Sequence, residues 1–151
     1  MTWLVVVHVL SAMLGLGPAY AFPLMLRKAN TTEEMRGNMK QVAYLEVFPK
    51  VFGTLAVLSG LALVFLNSYG PFTQAWIIGS LAVYVAIEVL VIGFLNPAAN
   101  KLMQRLSERG DAVPAAPDAE MIPLYVRVRN LHLWAGLLGL AIFILMIAKP
   151  Q

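Results

Sequence analysis

Charge is missing from most of this chain. No Asp, Glu, Lys or Arg occurs in residues 1–26, 51–87, 89–100 or 130–148. A helix needs about 20 apolar residues to cross the hydrocarbon of a bilayer. The 51–87 tract is broken by Asn67-Ser68-Tyr69-Gly70-Pro71, whose Gly-Pro pair is strong turn punctuation, so the uncharged tracts supply four crossings. The expected fold is all-α, a polytopic up-down bundle of four transmembrane helices forming one domain over 1–151, with spans at about 3–26, 47–66, 72–95 and 123–148. Composition agrees: 60% of residues are hydrophobic and 13% charged, against roughly 45–50% and 25% in soluble domains.

Several classes of function fall away. With no cysteine, the chain has no disulfide, no thiol nucleophile and no Cys-held zinc or iron–sulfur cluster, which excludes the quinone-linked thiol oxidoreductases built on four helices. No phosphate-binding loop, dinucleotide fingerprint, zinc-protease motif or nucleophile elbow is present. The isoelectric point near 9.4 suggests nucleic acid at first sight, but the net charge is only +3, and the basic residues have another use.

They orient the protein. Ten of the 11 basic residues flank the first and third connections, Arg27, Lys28, Lys101 and Arg105 among them, which leaves Lys149 alone on the other side. Basic residues stay on the cytoplasmic side of a membrane. The expected location is therefore the bacterial cytoplasmic membrane, multi-pass, with both termini outside and connections at about 27–46 and 98–122 inside. Within the first connection, Thr31-x-x-Glu34 has the pattern of a capping box opening an amphipathic helix that runs into the second span. Pro49 should kink that helix at the membrane surface, and Asn96-Pro97 should end the third span. Trp3 and Trp76 fit interfacial anchors, and Trp134, inside a span, fits internal packing.

Small residues recur at packing intervals: Ser11, Gly15 and Ala19 in the first span, Gly53, Ala56 and Gly60 in the second, Gly136 and Gly139 in the fourth. Helices in lipid associate through such close contacts.

Ionisable groups in hydrocarbon are costly and so carry the information about function. Glu88 lies eight residues before Asn96, about 12 Å inside its helix end, and shares a face with Ser80 and Tyr84. His132 should reach a similar depth on the fourth span. The expected buried polar cluster is Glu88, His132, Arg129, Lys50, Tyr20 and Tyr84, either mutually neutralising or a working site. His8, near the outer end of the first span and in line with Ser11 and Gly15, is the candidate haem ligand, with His132 the weaker one and haem b the cofactor it would imply. The two histidines differ by roughly 15 Å in depth, too far to flank one iron. The plainer reading of His8 is a hydrogen bond to a neighbouring helix.

The sequence also resembles a known family. His8-Val9-Leu10, Gly15-Leu16-Gly17-Pro18, Phe22-Pro23, Gly60-Leu61-Ala62-Leu63, Trp76, Asn96-Pro97 and His132 together resemble the bacterial integral membrane proteins grouped as domain of unknown function 2269. That likeness covers essentially the whole chain and implies a membrane protein without implying an activity. A His early in the first of four short helices is also similar to the four-helix protoporphyrinogen oxidases and the copper-resistance D-type proteins. The former likeness implies haem at His8. Where it calls for a basic residue within the third helix, this chain has Glu88, which puts the oxidase reaction in doubt.

Three functional readings follow. The first in rank is a non-catalytic accessory or oligomer-forming bundle, a homo-oligomer or a subunit of a larger membrane complex, with the lipid bilayer and no nucleic acid as its surroundings. The alternatives are a haem-binding, electron-transferring protein using His8 and a proton- or ion-coupled carrier using Glu88. The balance leans away from an enzyme.

Overall fold

A computed structural model of the protein describes residues 2–66, 71–109 and 116–150. The turn expected at Asn67 to Gly70 and residues 111–115 of the Ala/Pro/Asp connection lie outside the described residues. Among the described residues, nine pieces of helix follow one another. They are α1 (Thr2–Leu16), a 3-10 turn (Pro18–Ala21), α2 (Phe22–Met25), α3 (Thr32–Leu45), α4 (Val47–Leu66), α5 (Ala75–Leu90), a π-helical turn (Val91–Leu95), α6 (Asn96–Glu108) and α7 (Met121–Ala148). They join into four rods long and apolar enough to span a membrane: Thr2–Met25, Thr32–Leu66, Ala75–Glu108 and Met121–Ala148. The four-helix bundle expected from the uncharged tracts is the fold observed.

Each break in a rod has a local cause. Pro18 follows Gly17 and has no N–H to give to Leu14, so α1 gives way there to the 3-10 turn. Between α3 and α4 the break falls at Glu46, three residues before Pro49. A proline ring clashes with the carbonyl four residues earlier, here that of Leu45, so the helix yields upstream of the proline itself. Asn96-Pro97 does not end the helix. The chain widens into the π turn at Val91–Leu95 and continues as α6 for 13 more residues, with Pro97 in the first turn of α6. A π turn absorbs the carbonyl that proline cannot satisfy, so a helix can pass through a proline that reads as a stop.

The four rods stand in a ring in chain order. α1 packs along α4 and α5 along α7, and the packing that joins these two pairs is concentrated at one end, where α2, α3, α6 and the start of α7 meet, with Leu16 and Tyr20 reaching further along α7 to Gly136 and Gly139. That is the end of Arg27, Lys28, Lys101 and Arg105, called the basic end below. Its core follows from helical spacing: Met35, Met39 and Val42 of α3, Ala98, Leu102 and Leu106 of α6, and Met121, Tyr125 and Val128 of α7 recur at intervals of three and four and are all buried. Phe22 and Leu26 close the cluster from the first rod.

Polar bonds tie the same end. Thr31 caps α3 by accepting the Glu34 amide at 3.1 Å, and the Glu34 carboxylate accepts the Asn30 amide at 2.9 Å, the reciprocal pattern expected from the sequence. The Tyr125 hydroxyl donates to the Arg27 carbonyl at 2.5 Å and accepts from the Asn38 amide at 3.0 Å. Arg36 donates to the Leu106 carbonyl at 2.5 Å. Arg109 and Asp118 pair at 2.9 Å, Arg105 pairs with Glu120, and the Asp118 carboxylate accepts the amides that open α7.

Away from that end the bundle is open. Of each 18-residue apolar window only 11% of the residues are buried, so most of the apolar side chains face outward. Trp134 is among them, 59% exposed rather than packed inside, whereas Trp76 is buried, donating to Gln74 at 2.6 Å with the Lys149 ammonium 5.4 Å from its ring centre.

Candidate functional site

The polar side chains of the spans fall into three places rather than one. The first is the seam between α1 and α4. Gly15 and Gly53 meet there so closely that a Cβ on Gly15 would lie 2.8 Å from the Gly53 nitrogen. One turn or two further along, the His8 ring lies flat against Gly60, where an added Cβ would come within 2.8 Å of its Cε1. His8 Nδ1 is 2.8 Å from the Ala56 carbonyl and 3.3 Å from the Ser59 hydroxyl. A carbonyl only accepts, so Nδ1 carries the proton and donates across the helix pair. Ser59 in turn donates to the Leu55 carbonyl at 2.7 Å.

Does this fit the haem that His8 could hold? The tautomer suits a ligand, because liganding histidines usually donate their other nitrogen to a carbonyl. The surroundings do not. The ring edge abuts Gly60, His132 is on the far side of the bundle toward the basic end, and Met13, the nearest thioether in sequence, is 59% exposed on the outer surface of α1. The seam is built around the imidazole as a tie between two helices. Replacing His8 by Ala should lower the unfolding free energy by about 0.6 kcal/mol, and by no more than about 2 kcal/mol, the range for hydrogen bonds between membrane helices; thermal unfolding in detergent measures it.

The second place holds only His132 and Lys50 of the six residues expected to cluster, and the residue between them is Glu46. His132, 8% exposed, has its Nε2 3.6 Å from a carboxylate oxygen of Glu46, and the other oxygen of Glu46 is 3.3 Å from the Lys50 ammonium. Phe22 meets the His132 ring edge to face, centroids 5.2 Å apart. The Glu46–Lys50 spacing of four residues was the available signal. Glu46 follows the last residue of an amphipathic helix, Leu45, and the break before Pro49 turns it toward α7. His132 and Lys50 are thus brought together as expected, with Glu46 rather than Glu88 between them. Glu46, Lys50 and His132 line a cleft of about 350 Å³ between α3 and α4 on one wall and α6 on the other, with Asn96 and Asn100 on the α6 wall and Val128 beside His132 on α7.

The third place is the inner face of α5. The Tyr84 hydroxyl lies beside the Glu88 carboxylate one turn on, and no ion pair of Glu88 occurs among the described residues. Ser80, further along the same face, is buried with its hydroxyl unpartnered. Tyr20 lies over the glycine face of α7, its ring against Gly136 and its hydroxyl beside Gly139, also buried and unpartnered. Arg129 lies at the basic end near Tyr125. Among the described residues no group of three or more His, Asp or Glu side chains is placed to hold a metal ion.

Four apolar helices enclosing a few paired polar groups define an integral membrane helical bundle. The chain belongs to the family described as predicted integral membrane protein (DUF2269), whose model matches residues 2–150. No curated protein and no solved structure matches it.

Proposed function

We propose that this protein is a non-catalytic accessory bundle that associates in the bacterial cytoplasmic membrane with copies of itself or with another membrane subunit, both termini outside. One observation carries the reading: the two helix pairs α1/α4 and α5/α7 are joined chiefly toward the basic end, and only 11% of the residues of each apolar window are fully buried, the rest being half-buried or exposed. Apolar surface alone is satisfied by lipid. What supports association is that small residues such as Ala12, Ala82 and Ala86 lie along these outer surfaces, and small residues let another helix come close.

The test is the mass of the particle extracted into nanodiscs from its native membrane. A discrete assembly larger than the 16.5 kDa chain is expected, and a lone monomer at every concentration would contradict the proposal. Orientation is tested on the same protein, since it has no cysteine. Thr2→Cys should react with a membrane-impermeant maleimide added to intact cells, and Lys101→Cys should react only after the cells are opened.

A second reading rests on Glu88, an intramembrane carboxylate whose partner is a tyrosine hydroxyl rather than a cation. Such groups often mark proton or ion pathways. Under this reading Glu88→Gln abolishes pH-dependent flux in proteoliposomes, and flux that persists unchanged removes it.

A further inference from the structure

The cleft at the basic end has a composition that selects a ligand. One wall carries a carboxylate, Glu46, and an ammonium, Lys50, on successive turns. The facing wall carries Asn96 and Asn100, whose amides bond to no other side chain among the described residues, and His132 stands at the back. The cleft therefore offers one negative charge, one positive charge and neutral hydrogen-bonding groups within about 350 Å³.

Its depth is set by the sequence. Lys50 is the last charge before the uncharged 51–87 tract, and Asn96 and Asn100 close the uncharged 89–100 tract. The cleft thus lies where hydrocarbon gives way to headgroups. On the membrane side of it the main packing of α4 is on α1 and that of α5 is on α7, which leaves the cleft facing lipid. Val51 and Ile92, beside it in sequence, are 54% and 62% exposed.

We infer that this cleft binds the headgroup of a phospholipid carrying a primary amine, with the phosphate against Lys50 and the two asparagines, the ammonium against Glu46, and the acyl chains along the open surfaces of α4 and α5. The charges present decide between headgroups. An anionic lipid could set its phosphate against Lys50 in the same way, but it would bring no ammonium to Glu46 and would leave that carboxylate beside a phosphate with its own cation drawn away. A choline headgroup has no N–H to donate to the carboxylate, whereas a primary ammonium has three. The existing Glu46–Lys50 pair does not block the site. It is an i,i+4 pair with a Lys side chain 65% exposed, and such pairs are weak enough for a ligand bearing both charges to replace them.

The test is lipid retention by purified, delipidated full-length protein reconstituted with equal parts of phosphatidylethanolamine, phosphatidylglycerol and phosphatidylcholine and then read by native mass spectrometry. Phosphatidylethanolamine should be retained at least about tenfold over the other two, the ratio that one charge-assisted hydrogen bond supplies. Glu46→Gln should erase that preference, and Lys50→Ala should lower retention of all three phospholipids. Asn100→Leu, at the exposed rim of the cleft, should also reduce phosphatidylethanolamine retention and serves where Glu46→Gln does not fold. Equal retention of the three lipids by the wild type would overturn the inference. So would a preference that survives Glu46→Gln or, where that variant does not fold, phosphatidylethanolamine retention left unchanged by Asn100→Leu. Particle mass plays no part in this readout, so a monomeric protein could still pass it.

Discussion

Gly15→Val should separate α1 from α4 and leave a protein that unfolds at a much lower temperature. An ideal Cβ at this position is 2.8 Å from the backbone nitrogen of Gly53 and 3.1 Å from the carbonyl carbon of Phe52. Backbone atoms cannot rotate away as a side-chain end can, so the helices must part. Forcing bulk into a packed interface costs about 1–3 kcal/mol and sometimes more. Here the upper part of that range is expected, because the separation also stretches the His8 bond to Ala56, now 2.8 Å. Gly53→Ala is the control: a Cβ built on Gly53 meets nothing within 4 Å, although Gly53 is the very residue that Gly15 touches. Thermal unfolding in detergent should show Gly15→Val strongly destabilised and Gly53→Ala near wild type. Equal effects would mean that the seam is not packed as described.

Phe22→Ala should destabilise the basic end by about 3–5 kcal/mol, the range for emptying a buried aromatic site. Phe22 is 1% exposed and joins the core shared by α3, α6 and α7 while its ring meets the edge of His132. Truncation leaves a cavity against His132 and loosens the point where the two helix pairs are held together. Phe65→Ala removes the same ring from a position 76% exposed and should change stability little, since lipid replaces the lost contacts. A Phe22→Ala protein as stable as Phe65→Ala would show that the basic end is not the core of the molecule.

Much of this architecture was legible in the residues. Uncharged tracts locate the four rods, because the cost of a charge in hydrocarbon is large and independent of neighbours. The Thr31–Glu34 cap and the Gly15, Gly53 and Gly60 seam were legible for the same reason: each is a local pattern with one physical use. Three features were not. Asn96-Pro97 reads as a stop, and only the π turn at Val91–Leu95 lets the helix continue into α6. The outward face of Trp134 depends on which neighbours flank α7, which helical periodicity alone does not contain. Glu46 was passed over for the most instructive reason. A carboxylate at the end of an amphipathic stretch looks solvated until the break before Pro49 rotates it toward His132. Glu88, deeper and more conspicuous, drew the attention that belonged to Glu46.

The polar groups thus share a common logic. His8 is bonded to Ala56, His132 and Lys50 lie against Glu46, and Glu88 lies beside Tyr84, so that these four meet partners from their own bundle, whereas the Tyr20 and Ser80 hydroxyls are buried without one. Unpaired, such groups would be expelled from the membrane interior or would need a bound group to satisfy them.

The most direct test of that claim is the visible absorption spectrum of the wild-type protein purified from haem-replete cells, taken beside that of His8→Ala. The account predicts two colourless proteins, the variant somewhat less stable. A Soret band present in the wild type and absent from the variant would contradict it, since His8 would then be serving a cofactor and not the α1–α4 seam.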